Sequence, residues 1–73
     1  MDDPLPTFAA NLRRLRKARG WSQEQTAYES DLHPSHVAKI ERMEREPGVR
    51  SISKLCRGLE ISAAELFEGI DGR

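Results

Sequence analysis

The feature that most constrains the fold is the spacing of six residues within one eighteen-residue block. These residues are Gln23, Ala27, Asp31, Leu32, Val37 and Ile40. Where two helices cross near a right angle over a tight turn, the crossing has room only for a small side chain, which Ala27 supplies. The turn needs a residue that tolerates a positive φ, and Asp31 suits it better than most residues would. Leu32, Val37 and Ile40 can then fill the angle between the helices. The block therefore predicts a helix-turn-helix over residues 22 to 42.

Apolar residues at spacings of three and four predict a further helix before this block. Its stripe consists of Phe8, Leu12 and Leu15. The helix should begin among the helix-start residues of positions 3 to 7 and end at Gly20, after a basic last turn. Ser22 and Gln25 form a capping-box pattern, in which each side chain bonds the other's free backbone N–H. A second helix should therefore open at Ser22 and run to about Ser30.

Proline and glycine divide the remaining chain into three further helices. Pro34 fits the first position of a third helix, because its backbone angle is pre-set and a first-turn N–H has no helical partner. Pro47 and Gly48 mark the next break. The fourth helix carries its apolar residues at helical spacing: Val49, Ile52, Leu55, Cys56 and Leu59. Ser62 and Glu65 form a second capping box, which opens a short fifth helix. Its apolar residues are Leu66, Phe67 and Ile70. No segment alternates long enough to predict a strand, so residues 1–73 should form one compact all-α domain.

The charge of the chain limits how it can meet a nucleic acid. Twelve basic and twelve acidic residues give a formal net charge of zero, which disfavours strong indiscriminate binding. Five basic residues without an acid lie between Arg13 and Arg19, however, so a local basic face is expected. The single cysteine, Cys56, cannot form an internal disulfide, and no apolar run approaches the ~18 residues of a membrane span. We therefore expect a cytoplasmic protein that does not enter a membrane.

The residues do not form a pattern typical of catalysis or of metal binding. His33 and His36 are three apart, a spacing that can bind metal, but no cysteine or acid cluster completes a four-ligand site. There is no nucleophile with a matching base and no phosphate-binding glycine loop. We expect no enzymatic activity, no metal, no cofactor and no small-molecule ligand in so small a core.

Two stretches carry a resemblance to a known family. The segment from Phe8 to Gln25, FAANLRRLRKARGWSQEQ, resembles the opening of the Cro/C1-type (XRE) helix-turn-helix family. A later part of the same family pattern is resembled by Ile40-Glu41-Arg42 together with residues 44 to 47. The whole resemblance covers about residues 8 to 68. It implies a lambda-repressor-like domain of five helices that binds palindromic operators in double-stranded DNA as a homodimer. Among members of this size the chain is similar to restriction–modification controller proteins and small phage-type repressors, which implies a repressor or autoregulator of transcription.

The chain departs from the family pattern at three positions. Asp31 stands at the turn where the family usually has glycine, and its chemistry suits the position. Thr26 stands where an apolar residue is usual, which predicts slightly weaker packing. Met43 stands where glycine usually follows the third helix. A methionine is unfavourable in the left-handed conformation, which predicts a different loop there, with a longer third helix as one alternative.

The third helix is expected to read DNA. Ser35 and Lys39 lie four residues apart, so they share one face, opposite Val37 and Ile40. Residues near the N-terminus of a recognition helix reach base edges in this motif class. The predicted base contacts are Ser35, Lys39, Pro34 and His33. The predicted phosphate contacts are Gln23, His36, Arg42, Arg45 and Arg14. Gln23 is chosen because free N–H groups at a helix N-terminus attract an anion, and a partly packed side chain is an equal alternative for His36.

Two further expectations concern the assembly. By resemblance, Arg16 and Glu41 form a structural ion pair between the first helix and the end of the third. We predict that a C-terminal apolar group forms a dimer interface, with closure of the monomer core as the alternative: Leu59, Ile61, Leu66, Phe67 and Ile70. Two-fold pairing would double the base contacts over half-sites one helical turn apart. An alternative is a protein-interaction module of the same fold, such as an antitoxin, which the zero net charge and the acids Glu44 and Glu46 favour.

Overall fold

The computed structural model describes residues 3–70, and in this part of the chain all regular structure is helical. Five helices follow one another: α1 (Leu5–Ala18), α2 (Gln23–Glu29), α3 (Pro34–Glu41), α4 (Val49–Leu59) and α5 (Ala63–Leu66). The predicted all-α, five-helix architecture is confirmed. The fifth helix is shorter than its apolar pattern indicated, because it ends at Leu66 and leaves Ile70 outside it.

Serine residues open two of the helices through their side chains. Ser22 Oγ accepts a hydrogen bond from the backbone N–H of Gln25 at 3.0 Å, and Ser62 Oγ accepts from the N–H of Glu65 at 3.3 Å. The prediction that Gln25 returns a bond to Ser22 is wrong. The Gln25 amide instead donates to Glu29 Oε2 at 2.8 Å, one turn further along the same helix. A side chain on the exposed face of a helix reaches a partner four residues away as readily as it reaches back.

Four helices end on a residue in the left-handed conformation. Gly20, Asp31, Met43 and Glu60 have φ values of 71°, 54°, 62° and 56°. After α3, the N–H of Met43 donates to the carbonyl of Ile40, and the next N–H donates to the carbonyl of Lys39 at 2.8 Å. These two bonds form a Schellman motif, which satisfies helix-end carbonyls. The expectation that Met43 imposes a different loop or a longer helix is wrong, because this motif holds methionine in the conformation that the family gives to glycine.

The core lies between α1, α3, α4 and α5. Its buried side chains are Phe8, Leu12, Ile40, Leu55, Leu59 and Leu66. Leu59 and Leu66 are wholly enclosed within the monomer. The prediction that these two leucines take part in a dimer interface is therefore wrong, since they present no surface to a partner. Val49, predicted to belong to the apolar stripe of α4, is 84% exposed at the first turn of that helix.

The crossing of α2 and α3 is filled by small and branched side chains. Ala27 and Val37 are fully buried there, as the spacing predicted. Thr26, which replaces an apolar residue of the family pattern, is also fully buried. Its hydroxyl donates to the carbonyl of Ser22 at 3.0 Å, so the polar atom is satisfied within α2. The departure at this position therefore leaves no unpaired polar group in the core.

Candidate nucleic-acid interface

The outer face of α3 brings together all four predicted base contacts. His33, Pro34, Ser35 and Lys39 are exposed, at the start and along the outer side of the helix. On the opposite side Val37 and Ile40 are fully buried in the core. This division leaves the first turn of α3 and the Lys39 side chain free to approach another molecule.

His33 caps the N-terminus of α3 with its ring. The backbone N–H of Ser35 donates to His33 Nδ1 at 3.1 Å, and Ser35 Oγ lies 2.8 Å from the same nitrogen. Sequence reasoning missed this cap, because serine, threonine, aspartate and asparagine are the preferred capping residues. The position of His33 could have indicated the cap, because His33 directly precedes Pro34, which fits the first residue of a helix.

A buried carboxylate fixes the other end of α3. Glu41 is fully buried, and its Oε2 accepts a bond from Arg16 Nε at 2.7 Å while its Oε1 accepts from Arg16 Nη2 at 3.0 Å. Arg16 also donates from Nη1 to the backbone carbonyl of Trp21 at 2.8 Å. The structure thus contains an ion pair that ties the end of α3 to α1 and to the loop before α2.

Two further side chains join this cluster. Gln23 Nε2 donates to Glu41 Oε1 at 3.1 Å, and Arg13 Nε lies 3.4 Å from the same oxygen. Gln23, predicted to contact a phosphate, therefore has its amide nitrogen directed at a carboxylate of this chain. The spacing of Gln23 and Glu41 gave no signal for this contact, because the two residues are brought together only by the crossing of α2 and α3.

The cluster shifts the pKa values of both partners. Burial alone would raise the pKa of Glu41, but hydrogen bonds from Arg16, Gln23 and Arg13, together with the Arg16 charge, lower it below its usual range. The hydrogen bond that Arg16 donates to Glu41 raises the pKa of Arg16 despite partial burial. Both shifts favour the charged pair, so the ionised form holds the α1–α3 contact.

The predicted phosphate contacts differ in how free their side chains are. Arg42 forms a two-bond pair with Glu44, at 2.7 and 3.3 Å, and Arg14 lies 3.3 Å from Glu68. Arg45 is exposed and has no carboxylate within ion-pair distance among residues 3 to 70. Arg45 is therefore the arginine of this set whose charge is not already neutralised by a carboxylate of the described chain.

His36 lies between α3 and α4 rather than on the open face. Its side chain is half-buried, and Nε2 lies 3.3 Å from Ser51 Oγ on α4. Burial, followed by the charges of Arg45, Lys54 and Lys39, lowers the pKa of His36 below its usual value. This placement supports the partly packed alternative, and three cations beside the ring still make the surrounding surface attractive to an anion.

The run of basic residues on α1 is less free than its sequence indicated. Arg13 lies 3.4 Å from Glu41, and Arg19 lies 3.6 Å from Glu60. The Arg19 guanidinium also lies 5.1 Å from the centre of the Trp21 ring, a cation–π distance. Most of the expected basic face of α1 is thus paired with carboxylates from other parts of the fold.

Two of the C-terminal apolar residues that remain accessible, Phe67 and Ile70, line a groove. Phe67 is 40% exposed and meets Phe8 edge to face, with ring centroids 5.3 Å apart. Ile61 and Ile70 are half-buried. The groove, of about 390 Å³, has mainly apolar walls: Leu5, Phe8, Pro47, Ile52, Phe67 and Ile70. This surface is the accessible remainder of the predicted interface group.

Two other classes of site are absent from the part of the chain that the structure describes. Residues 3–70 contain no cluster of three or more histidine, cysteine, aspartate or glutamate side chains that could hold a metal ion. Within the same residues, every helix is too short or too polar to cross a membrane. The surface around α3 is therefore the candidate site with the most organised geometry.

Known proteins are similar to this chain in sequence and in fold. The transcriptional regulator SlrR of Bacillus subtilis is 38% identical over 58 residues, and the match covers 78% of this chain but only 38% of SlrR. Control protein C.MunI of a Mycoplasma species is 33% identical over 72 residues, covering 97% of both chains. The crystal structure of the restriction–modification controller protein C.AhdI from Aeromonas hydrophila superposes with a TM-score of 0.82 at 42% identity. That superposition covers 85% of this chain and 94% of C.AhdI.

The family assignment follows from the extent of the match. The profile of the helix-turn-helix family HTH_3 matches residues 12–66, which include the second half of α1 and the whole of α2, α3, α4 and α5. The relatives named above are regulators and controller proteins, not enzymes. The chain belongs to the HTH_3 helix-turn-helix family of XRE type and is a DNA-binding regulator of transcription.

Proposed function

We propose that the chain binds a palindromic operator as a homodimer, with α3 of each subunit in the major groove. The observation that carries this proposal is the division of α3 into a buried side, with Val37 and Ile40, and an exposed side with the base-contact candidates. His33, Pro34 and Ser35 at the helix start and Lys39 one turn later would meet base edges. Lysine donates to guanine O6 and N7, and serine can bond several base edges.

Phosphate contacts would set the position of α3 in the groove. Arg45 is available for this without breaking an ion pair within the described residues. Arg42 and Arg14 would exchange the carboxylates of Glu44 and Glu68 for phosphates. Both pairs are exposed, so this exchange costs little. Gln23 and His36 would contact phosphates at the edges of the interface. Gln23 would keep its hydrogen bond to Glu41.

The homodimer would use the accessible apolar surface around Phe67. Phe67 is 40% exposed, Ile70 is half-buried in the same groove, and Ile61 is half-buried. One small domain makes few base contacts, and two-fold symmetry doubles them over two half-sites. Dimerisation matters especially in this chain, because a net charge of zero provides little general attraction to DNA.

We further infer that the bound dimer represses or autoregulates nearby transcription in the cytoplasm. The likeness to control protein C.MunI and to the controller protein C.AhdI supports a role in controlling restriction–modification genes. C.MunI provides the stronger support, because the match extends over 97% of both chains.

Selection of bound sequences from a random DNA pool tests this function directly. The full chain should recover a motif with two-fold symmetry at moderate salt, and sedimentation should show two chains per duplex. Lys39→Ala should cost about 1–3 kcal/mol and relax one base position per half-site, whereas Arg45→Ala should weaken binding to all sequences alike. Recovery of no symmetric motif would contradict the proposal and favour a protein-interaction module of the same fold.

A further inference from the structure

The first turn of α3 contains an interlock between two side chains that are proposed to read bases. The backbone N–H of Ser35 donates to His33 Nδ1 at 3.1 Å. The hydroxyl oxygen of Ser35 lies 2.8 Å from the same nitrogen. Both residues are exposed, so the atoms not used in these bonds face outward.

These two contacts determine which hydrogens of His33 and Ser35 can be donated to DNA. A backbone N–H can only donate, so His33 Nδ1 must present its lone pair, and the hydrogen of the neutral ring lies on Nε2. Ser35 Oγ lies 2.8 Å from the same unprotonated Nδ1, so the hydroxyl supplies the hydrogen between them and shares the one lone pair of Nδ1 with the backbone N–H. The hydroxyl hydrogen of Ser35 is therefore used within the protein, and its lone pairs remain for an external donor.

We propose that His33 and Ser35 read DNA as one unit with fixed polarity. His33 Nε2–H donates to a purine N7 or a keto oxygen, and Ser35 Oγ accepts from an exocyclic amino group, adenine N6 or cytosine N4. This inference rests on the proposed function, because it names the DNA groups that the same surface selects.

The hydrogen bonds between His33 and Ser35 make the Ser35 hydroxyl selective between amino and keto groups of DNA. A free serine hydroxyl can donate or accept, so it tolerates keto and amino groups alike. With its hydrogen held by His33, Ser35 is left as an acceptor and rejects a keto oxygen, which also only accepts. Because the bonds join residues two positions apart on an ordered turn, the polarity exists before DNA arrives, and binding need not order it.

The test measures the coupling between each side chain and one functional group of the DNA. The probe is the selected operator with single bases of a half-site replaced by analogues. Purine in place of adenine and 2-pyrimidinone in place of cytosine remove the amino group, and 7-deazapurines remove N7. At one position, loss of the amino group should weaken wild-type binding about fivefold to tenfold and should not weaken binding by Ser35→Ala. A 7-deazapurine, or an analogue that lacks the keto oxygen, should show the same coupling to His33→Ala.

Matched variants separate the interlock from the loss of a side chain. His33→Ala frees the hydroxyl hydrogen, so the coupling of Ser35 to the amino group should fall. His33→Asn should restore that coupling, because asparagine Oδ1 can accept from both the N–H and the hydroxyl of Ser35. Lys39→Ala should lower affinity and leave the coupling in place. Circular dichroism checks that each variant keeps its helices.

Three results would overturn the proposal. In the first, no amino-lacking analogue weakens wild-type binding in a way that depends on Ser35. In the second, Ser35 couples to a keto oxygen. In the third, the amino coupling persists undiminished in His33→Ala. These results leave the proposed function intact, since an operator would still be bound, whereas failure to select any operator overturns both proposals.

Discussion

Replacing Glu41 with glutamine should destabilise the domain far more than the loss of a surface charge would. Its buried carboxylate accepts bonds from Arg16 at 2.7 and 3.0 Å and from Gln23 at 3.1 Å. A neutral amide leaves the Arg16 guanidinium, whose side chain is only 11% exposed, without its counter-charge. Removing one partner of a buried pair costs about 3–5 kcal/mol. At ~0.05–0.15 kcal/mol per residue, this 73-residue chain has about 4–11 kcal/mol in all, so the variant should lose a large part of its stability.

Urea unfolding followed by circular dichroism measures this loss. With an m-value of about 1.5 kcal/mol per M, the midpoint should fall by about 2–3 M. Glu44→Gln is the matched control, because Glu44 also pairs with an arginine, Arg42, but is 53% exposed. Its midpoint should barely change. Adding Arg16→Met to Glu41→Gln should recover part of the loss, since no uncompensated charge remains. Equal midpoints for Glu41→Gln and Glu44→Gln would refute the reasoning.

The same carboxylate should make stability depend on pH. The pKa of Glu41 in the folded state lies below its usual range, because the hydrogen bonds to its carboxylate outweigh the effect of burial. The unfolded chain therefore takes up a proton first as the pH falls. The contribution of Glu41 is present above its unfolded pKa of about 4.3 and is lost as the pH falls through the folded value. Urea midpoints measured from pH 7 to pH 3 should decline less steeply in Glu41→Gln than in the wild type.

Four further predictions concern a surface charge, a buried hydroxyl, a glycine and a histidine. Glu44→Gln should free Arg42 from its pair and raise operator affinity by up to about fivefold at low salt, because the exposed pair no longer has to be broken, and an unchanged affinity in gel shifts would contradict this. Ser30→Ala should stabilise the fold by about 1 kcal/mol in urea, because its buried hydroxyl lacks a hydrogen-bond partner within residues 3 to 70. Gly58→Ala should destabilise it, since a Cβ would lie 2.8 Å from the α2 backbone, and equal stability of the two variants would count against this packing argument. Burial and nearby cations lower the pKa of His36, so wild-type stability should fall as the pH drops below about 6.5. His36→Gln should show a flatter urea-midpoint profile between pH 7 and pH 5, and an unchanged profile would rule out this residue as the cause.

Local patterns in the sequence were sufficient to predict most of the helices and the turn between α2 and α3. Val37 and Ile40 are fully buried because a helical period of 3.6 residues places them on one face of α3, and Ala27 is fully buried where α2 crosses that helix. Ser22 caps α2, and Asp31 adopts the left-handed turn. These features depend on residues within about one helical turn of each other, so the order of residues along the chain contains the necessary information.

Only the tertiary structure decided which distant groups meet. Glu41 binds Gln23 across the crossing of two helices, and Arg14 approaches Glu68 from the far end of the chain. The tertiary structure likewise encloses Leu59 while leaving Phe67 partly exposed, although both belong to the same kind of apolar pattern. Charge pairing and burial depend on distances in space, and helix packing sets those distances. The sequence by itself therefore determined the helices of this regulator, and their packing determined which charges of the α3 surface remain unpaired for DNA.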